Sequence, residues 1–191
     1  MAKKQETRDK IMKVALKLFS EQGYYATPTK LIASEAGVNE LTLFRHFGSK
    51  EKLFQETTEN YVQEINIQRE ISELIKEDFE TGVLEVAKDY LDFCFQNEKL
   101  YKIQMRLKDD EKEFVRLKLS RGFAEVLQDY FIECLKKEKI NGEPELMATT
   151  FINSILGAFT VYILTNDSFS SISIETLVEE HAKQFASYYK I

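Results

Sequence analysis

Residues 27–53 read TPTKLIASEAGVNELTLFRHFGSKEKL, and the fold is decided there. Thr27 offers a side-chain oxygen as an N-cap and Pro28 suits a first helical position, which predicts a short helix from there through Glu35. Gly37 stops that helix in a conformation with φ > 0, and Asn39 caps another short helix reaching about Arg45. Ala33 is small enough for the two helices to approach closely, Gly37 makes the turn, and Leu43 anchors the later helix in a core. That spacing describes a helix-turn-helix, centred on Ile32 to Phe47, with the start of its last helix, Asn39 to Thr42, exposed to enter a major groove.

Outward from this segment the helical period continues. Ile11, Val14, Ala15, Leu18 and Phe19 share one face of a helix predicted over 6–20, with Lys10, Lys13 and Lys17 turned away and Gly23 ending it. Ser49 caps a long fourth helix that starts at Lys50 and carries Leu53, Phe54, Tyr61, Ile65, Ile71 and Ile75 towards Lys76. Further helices are predicted over 82–96, 98–107, 110–137, 145–165 and 173–189, with breaks at Asn141, Gly142 and Pro144 and in the polar loop 166–171. With two Pro, seven Gly and no alternating strand pattern, the fold class is all-α.

Charge divides the chain in two. Residues 1–50 hold nine Lys or Arg against five Asp or Glu, a net +4, while 51–191 hold seventeen against twenty-seven, a net −10, which together make the −6 of the whole. A basic module can approach phosphates while an acidic one stays clear of them. The domains read as 1–50, a three-helix DNA-binding module, and 51–191, a helical module. No run reaches the roughly 18 consecutive apolar residues of a membrane span, and the start, MAKKQETRDK, lacks the apolar core of a signal peptide. No membrane association is expected, and the cytoplasm is the expected location.

Other chemistry finds little footing. Cys94 and Cys134 lie in apolar segments and suit reduced core positions. The chain's two histidines are His46, inside the motif, and His181, which shares a helix face with Ile174, Leu177, Val178, Phe185 and Tyr188 and reads as a core or interface residue. The acidic stretch 109–113 reads as a solvated helix start. Without a Ser-His-Asp, Cys-His or metal-spaced cluster, no catalytic residue, metal site or cofactor is expected.

The pattern Gly23-Tyr24, Ile32-Ala33, Ala36-Gly37-Val38, Phe44 and Phe47-Gly48-Ser49-Lys50-Glu51 resembles the TetR family of bacterial transcriptional regulators over about residues 7–55. The resemblance implies that Thr27, Thr42, His46 and Lys50 touch phosphates, Lys50 aided by the positive end of the fourth helix. It makes Asn39, Glu40, Leu41 and Arg45 candidates for base-edge contacts, supported by Thr29 and Lys30. Three positions depart from the family's usual pattern. Phe44 stands where Tyr is frequent and loses a phenol-to-phosphate bond, though its ring can still meet sugar or a thymine methyl. Leu41 replaces a frequent Gly and is placed to reach thymine methyls. Glu40 replaces a frequent Lys or Arg; it can accept from a cytosine amino group or simply repel phosphate, and reads as a tolerated surface charge.

The same resemblance implies an effector cavity in the helical module, for a small apolar or aromatic molecule, with Tyr90, Phe93, Tyr101, Met105, Phe114, Phe123, Phe159 and Tyr162 as candidate lining; core packing explains the same rings. Apolar residues on more than one face of the last two helices predict a homodimer, whose two recognition helices suit a pseudo-palindromic operator in double-stranded DNA. A ligand-released repressor is the expected function, with coupling through the fourth helix. A helical protein-interaction module, and a TetR-like activator without small-molecule induction, remain open alternatives.

Overall fold

A computed structural model describes residues 2–61, 71–107 and 109–191, with the side chains of 2–3, 71–72 and 109–122 outside that description. The helices are α1 (Ala2–Gln22), α2 (Thr29–Glu35), α3 (Glu40–Phe47), α4 (Lys50–Tyr61), α5 (Ile71–Leu74), α6 (Phe79–Gln96), α7 (Glu98–Arg106), α8 (Asp109–Lys136), α9 (Pro144–Thr165) and α10 (Ile174–Tyr189). Among the described residues there is no strand, only an isolated antiparallel bridge between Ile140 and Lys190. The all-α class is as expected, and most helix ends fall within a few residues of their predicted places. The expected fourth helix is described as α4 and, later, α5; its middle, 62–70 with Ile65, lies outside the described residues, as does the side chain of Ile71.

The chain forms two compact units, Met1–Gln63 with Asn97–Lys118, and Glu64–Gln96 with Leu119–Ile191. The first therefore runs past Lys50, where the charge balance changes. Its core is built by Ile11, Ala15, Leu16, Leu18 and Phe19 of α1 against Ile32 and Ala33 of α2, Leu43 and Phe47 of α3, and Leu53 of α4, all buried. Fully burying side chains of this size contributes about 1.5–3 kcal/mol each. Phe19, Tyr24 and Phe54 complete it, with ring centroids 4.9–5.6 Å apart. Leu100, Tyr101 and Ile103 of α7 are also buried, and the Arg106 guanidinium donates to the Ser20 carbonyl at the end of α1.

In the second unit α6 packs against α10 and α9. Gly82 sits inside α6 where an added Cβ would lie 2.1 Å from the Tyr130 hydroxyl of α8, so only glycine permits this approach. Aromatic rings fill the space beyond: Phe131 meets Phe79 and Phe185, and Phe185 meets Phe151. Cys94 and Cys134 are buried and form no disulfide, as expected, and burial pushes the Cys134 thiol up from its ordinary pKa. His181 lies 5.7 Å from the Phe151 ring, and burial lowers its imidazole pKa.

One helix departs from the sequence reading. An 18-residue window of α9 has a mean hydropathy of 1.6, enough by length and composition to cross a membrane, although only 33% of that window is buried. Counting unbroken apolar runs missed it because Thr149, Thr150, Asn153 and Ser154 interrupt the run without adding charge. Its buried side, Met147, Phe151, Ile155 and Phe159, is core of the helical unit.

Candidate nucleic-acid interface

The turn between α2 and α3 is made by local chemistry. Gly37 takes φ +65°, and the Val38 amide returns to the Ala33 carbonyl at 2.9 Å. The Asn39 side-chain oxygen accepts from the Thr42 amide at 2.7 Å, which caps α3 as predicted. At the far end Gly48 takes φ +80°, and Ser49 accepts from the Lys52 amide at 3.1 Å to open α4. Between these ends Leu43 and Phe47 face the core, which leaves Leu41 and Arg45 on the opposite face and Phe44 on an exposed flank. Leu41 is 69% exposed and Phe44 40%, unusual for large apolar side chains.

The proposed phosphate contacts divide on inspection. Thr27 is fully buried, and its hydroxyl donates to the Gly23 carbonyl at 2.8 Å. It neither caps α2, whose N-cap is Pro28 without a side-chain bond, nor has a hydroxyl left for a phosphate. Its work is to hold the α1–α2 turn, and that expectation is corrected. The Thr42 hydroxyl donates to the Asn39 side chain at 2.8 Å, so its proton serves the cap. Lys50 reaches the surface at the start of α4 with its ammonium 4.4 Å from the Tyr24 ring centre, a cation–π seat that holds it at one place. Burial lowers its pKa, partly offset by Glu51, whose carboxylate accepts from the Tyr24 hydroxyl at 3.2 Å.

His46 is half-buried on the flank of α3. Desolvation, and then the positive charges of Lys4, Arg8 and Arg45, push its pKa down. Arg8 of α1 stands 4.8 Å from the Phe47 ring centre, donates to the His46 carbonyl and pairs with Glu56 of α4. Sequence reasoning missed Arg8 and Tyr24 as positioning residues. Their signal was present only as an Arg beside the apolar face of α1 and an aromatic after Gly23.

Among the candidate base contacts, Thr29 donates to a Glu40 carboxylate oxygen at 2.6 Å, tying α2 to α3. Lys30 is exposed. Asn39 spends its side-chain oxygen on the cap.

Of the candidate effector lining, Tyr90 meets Phe93 and Phe123, and Phe159 meets Tyr162. In the second unit Tyr90, Phe93, Phe123 and Phe159 are buried, Tyr90 packed 4.3 Å from Phe123 between ring centres. Tyr101 is buried in the first unit and Met105 is 37% exposed there. The Phe114 side chain lies outside the described residues. A cavity of about 240 Å³ opens along α9, α10 and the loop between them, lined by Ser154, Val161, Tyr162, Phe169, Ile172 and Leu177 among others. Tyr162 is the one candidate that lines it.

Comparison with known proteins agrees with this geometry. Residues 11–57 match the family of bacterial regulatory proteins, tetR family. The transcriptional regulator HbdR of Aromatoleum sp. (strain CIB) is 43% identical over 65 residues, 32% of this chain and 28% of that protein's length, so the likeness spans little more than a quarter of the relative. A tetR-family transcriptional regulator from Mesorhizobium loti has the same fold at a TM-score of 0.71, with 20% identity over 98% of each chain. NalD of Pseudomonas aeruginosa, the secondary repressor of the MexAB-OprM multidrug efflux pump, superposes at 0.69 with 19% identity over 100% of this chain and 98% of its own. At such identities the shared property is the fold.

Proposed function

From the match of residues 11–57 to the tetR family of bacterial regulatory proteins, we propose that this chain is a cytoplasmic transcriptional regulator that binds operator DNA as a homodimer and is released by a small apolar or aromatic effector. The observation that carries the reading is the outward face of α3, capped at Asn39, cleared by the turn at Gly37 and presenting Leu41, Phe44 and Arg45 away from the core. Such a face fits a major groove. Lys50, held over Tyr24, and His46 on its flank supply positioning contacts to phosphates. The domain roles follow: a DNA-binding module at the N-terminus, an effector and dimer module after it.

Support for the dimer comes from α9. Its exposed side carries Asn153, Gly157, Val161 and Leu164, with no charge between Glu145 and the helix end. Gly157 costs helix stability, and nothing lies within 4 Å of where its Cβ would be; it stands on the wall of the cavity along α9 and α10. A partner helix approaching closely would account for a glycine there. Repression follows by occupancy: the dimer covers the operator, and an effector acts by binding one spacing of the two DNA-binding heads better than the other.

Gel retardation with the DNA upstream of the chain's own coding region tests this. The expected result is sequence-selective binding that weakens steeply with salt. Equal affinity for operator and random DNA would overturn it, and sedimentation as a monomer at micromolar concentration would overturn the dimer.

A further inference from the structure

The exposed face of α3 and the side chains beside it differ in one respect that bears on how bases are read. Several polar groups at the start of the helix are already engaged within the protein. Asn39 holds the Thr42 amide and hydroxyl at 2.7 and 2.8 Å, and the Glu40 carboxylate is drawn back to α2 by the Thr29 hydroxyl at 2.6 Å. Two large apolar groups nevertheless stand in solvent on this helix: Leu41, 69% exposed, on the side away from Leu43 and Phe47 with Arg45, and Phe44, 40% exposed, on the flank one turn from Leu41. Leaving two large apolar groups in water has a cost that burial against another surface recovers.

On the reading that this face enters a major groove, we infer that the operator half-site is recognised through the 5-methyl groups of thymines, met by Leu41 and Phe44, while Glu40 is a positioning residue that ties α3 to α2. In the major groove the 5-methyl is the apolar feature that the four bases present, and it belongs to thymine. Leu41, near the start of the helix, meets one thymine, and Phe44, a turn later, meets another. The Thr29–Glu40 bond keeps a carboxylate out of the groove, where it would favour a cytosine amino group.

The test uses the full chain. Bound sequences are selected from random DNA, and each thymine of the selected half-site is then replaced in turn by deoxyuridine, which removes the methyl and keeps every hydrogen-bonding group. Binding is followed by fluorescence anisotropy at fixed salt. Loss of about fourfold is expected at each contacted thymine, the worth of one buried methyl. The loss should vanish at one position in Leu41→Ala and at the other in Phe44→Ala, with thermal unfolding showing that both variants remain folded. Tight, selective binding that tolerates deoxyuridine throughout would overturn thymine reading and leave DNA binding intact. Failure to select any sequence would overturn the DNA-binding reading itself. A loss that persists unchanged in both variants would take the methyl contact away from Leu41 and Phe44.

Discussion

The two units of this chain are helical for different reasons. Between Pro28 and Lys50 the helices have seven and eight residues, too short to persist by propensity, and their ends are set by neighbours in sequence: Gly37, the Asn39 cap, Gly48 and the Ser49 cap. In the second unit α6, α9 and α10 have 18, 22 and 16 residues, and residues far apart in sequence decide how they meet, as Gly82 and Tyr130 or Phe131 and Phe185 do. Local chemistry thus aims α3, the helix proposed to meet DNA, whereas the helical unit is a packing problem. A change at one α3 residue can redirect what is read without disturbing the larger unit.

The strongest way to break that contrast is to remove the tertiary anchor of the locally specified helix. Leu43 is fully buried, and Leu43→Ala is expected to cost about 2–5 kcal/mol, measured by urea denaturation, with loss of operator binding. A loss under about 1 kcal/mol would mean that the caps alone hold α3, against the length argument. Two glycines sharpen the other side. Gly82→Ala places a methyl against the Tyr130 hydroxyl and should destabilise by about 1–3 kcal/mol, with Tyr130→Phe recovering part of it in the double variant. Gly157→Ala meets open space, so the isolated subunit should gain up to about 1 kcal/mol in helix propensity while the sedimentation equilibrium shifts towards monomer. If both alanines destabilise the subunit alike, Gly157 is not reserved for a partner.

What was legible in the sequence follows the same division. Asn39 and Ser49 were read correctly as caps because capping partners lie three residues away. Thr27 was misread although its local signal was strong: its hydroxyl turned back to the Gly23 carbonyl instead of forward to α2, and the choice depended on burial against α1. The Thr29–Glu40 bond and the seat of Lys50 over Tyr24 join residues eleven and more positions apart, which no period displays. The aromatic lining was least legible, because a ring packed in a core and a ring facing a cavity have the same spacing; Tyr90 and Tyr162 differ only in what surrounds them. A cap that is truly local should have a local cost. Asn39→Ala is expected to lower stability by about 1 kcal/mol, and Asn39→Asp to restore it, in the same denaturation experiment.

The smallest effect separates the units by their histidines. His46 and His181 both have lowered pKa values, His46 through desolvation and the cations Lys4, Arg8 and Arg45, His181 through burial alone. A depressed folded-state value stabilises the fold above the unfolded pKa, near 6.5, and that contribution is lost as pH falls through the lower folded value. Both histidines therefore act against folding in acid. DNA should oppose this at one of them only: a phosphate beside His46 raises its pKa, so binding takes up a proton and operator affinity rises as pH falls. Replacing His46 with Asn should flatten the profile, whereas His181→Asn should leave its slope unchanged. An affinity independent of pH in the native chain would place His46 away from phosphate and leave Lys50 as the positioning contact on that side of α3.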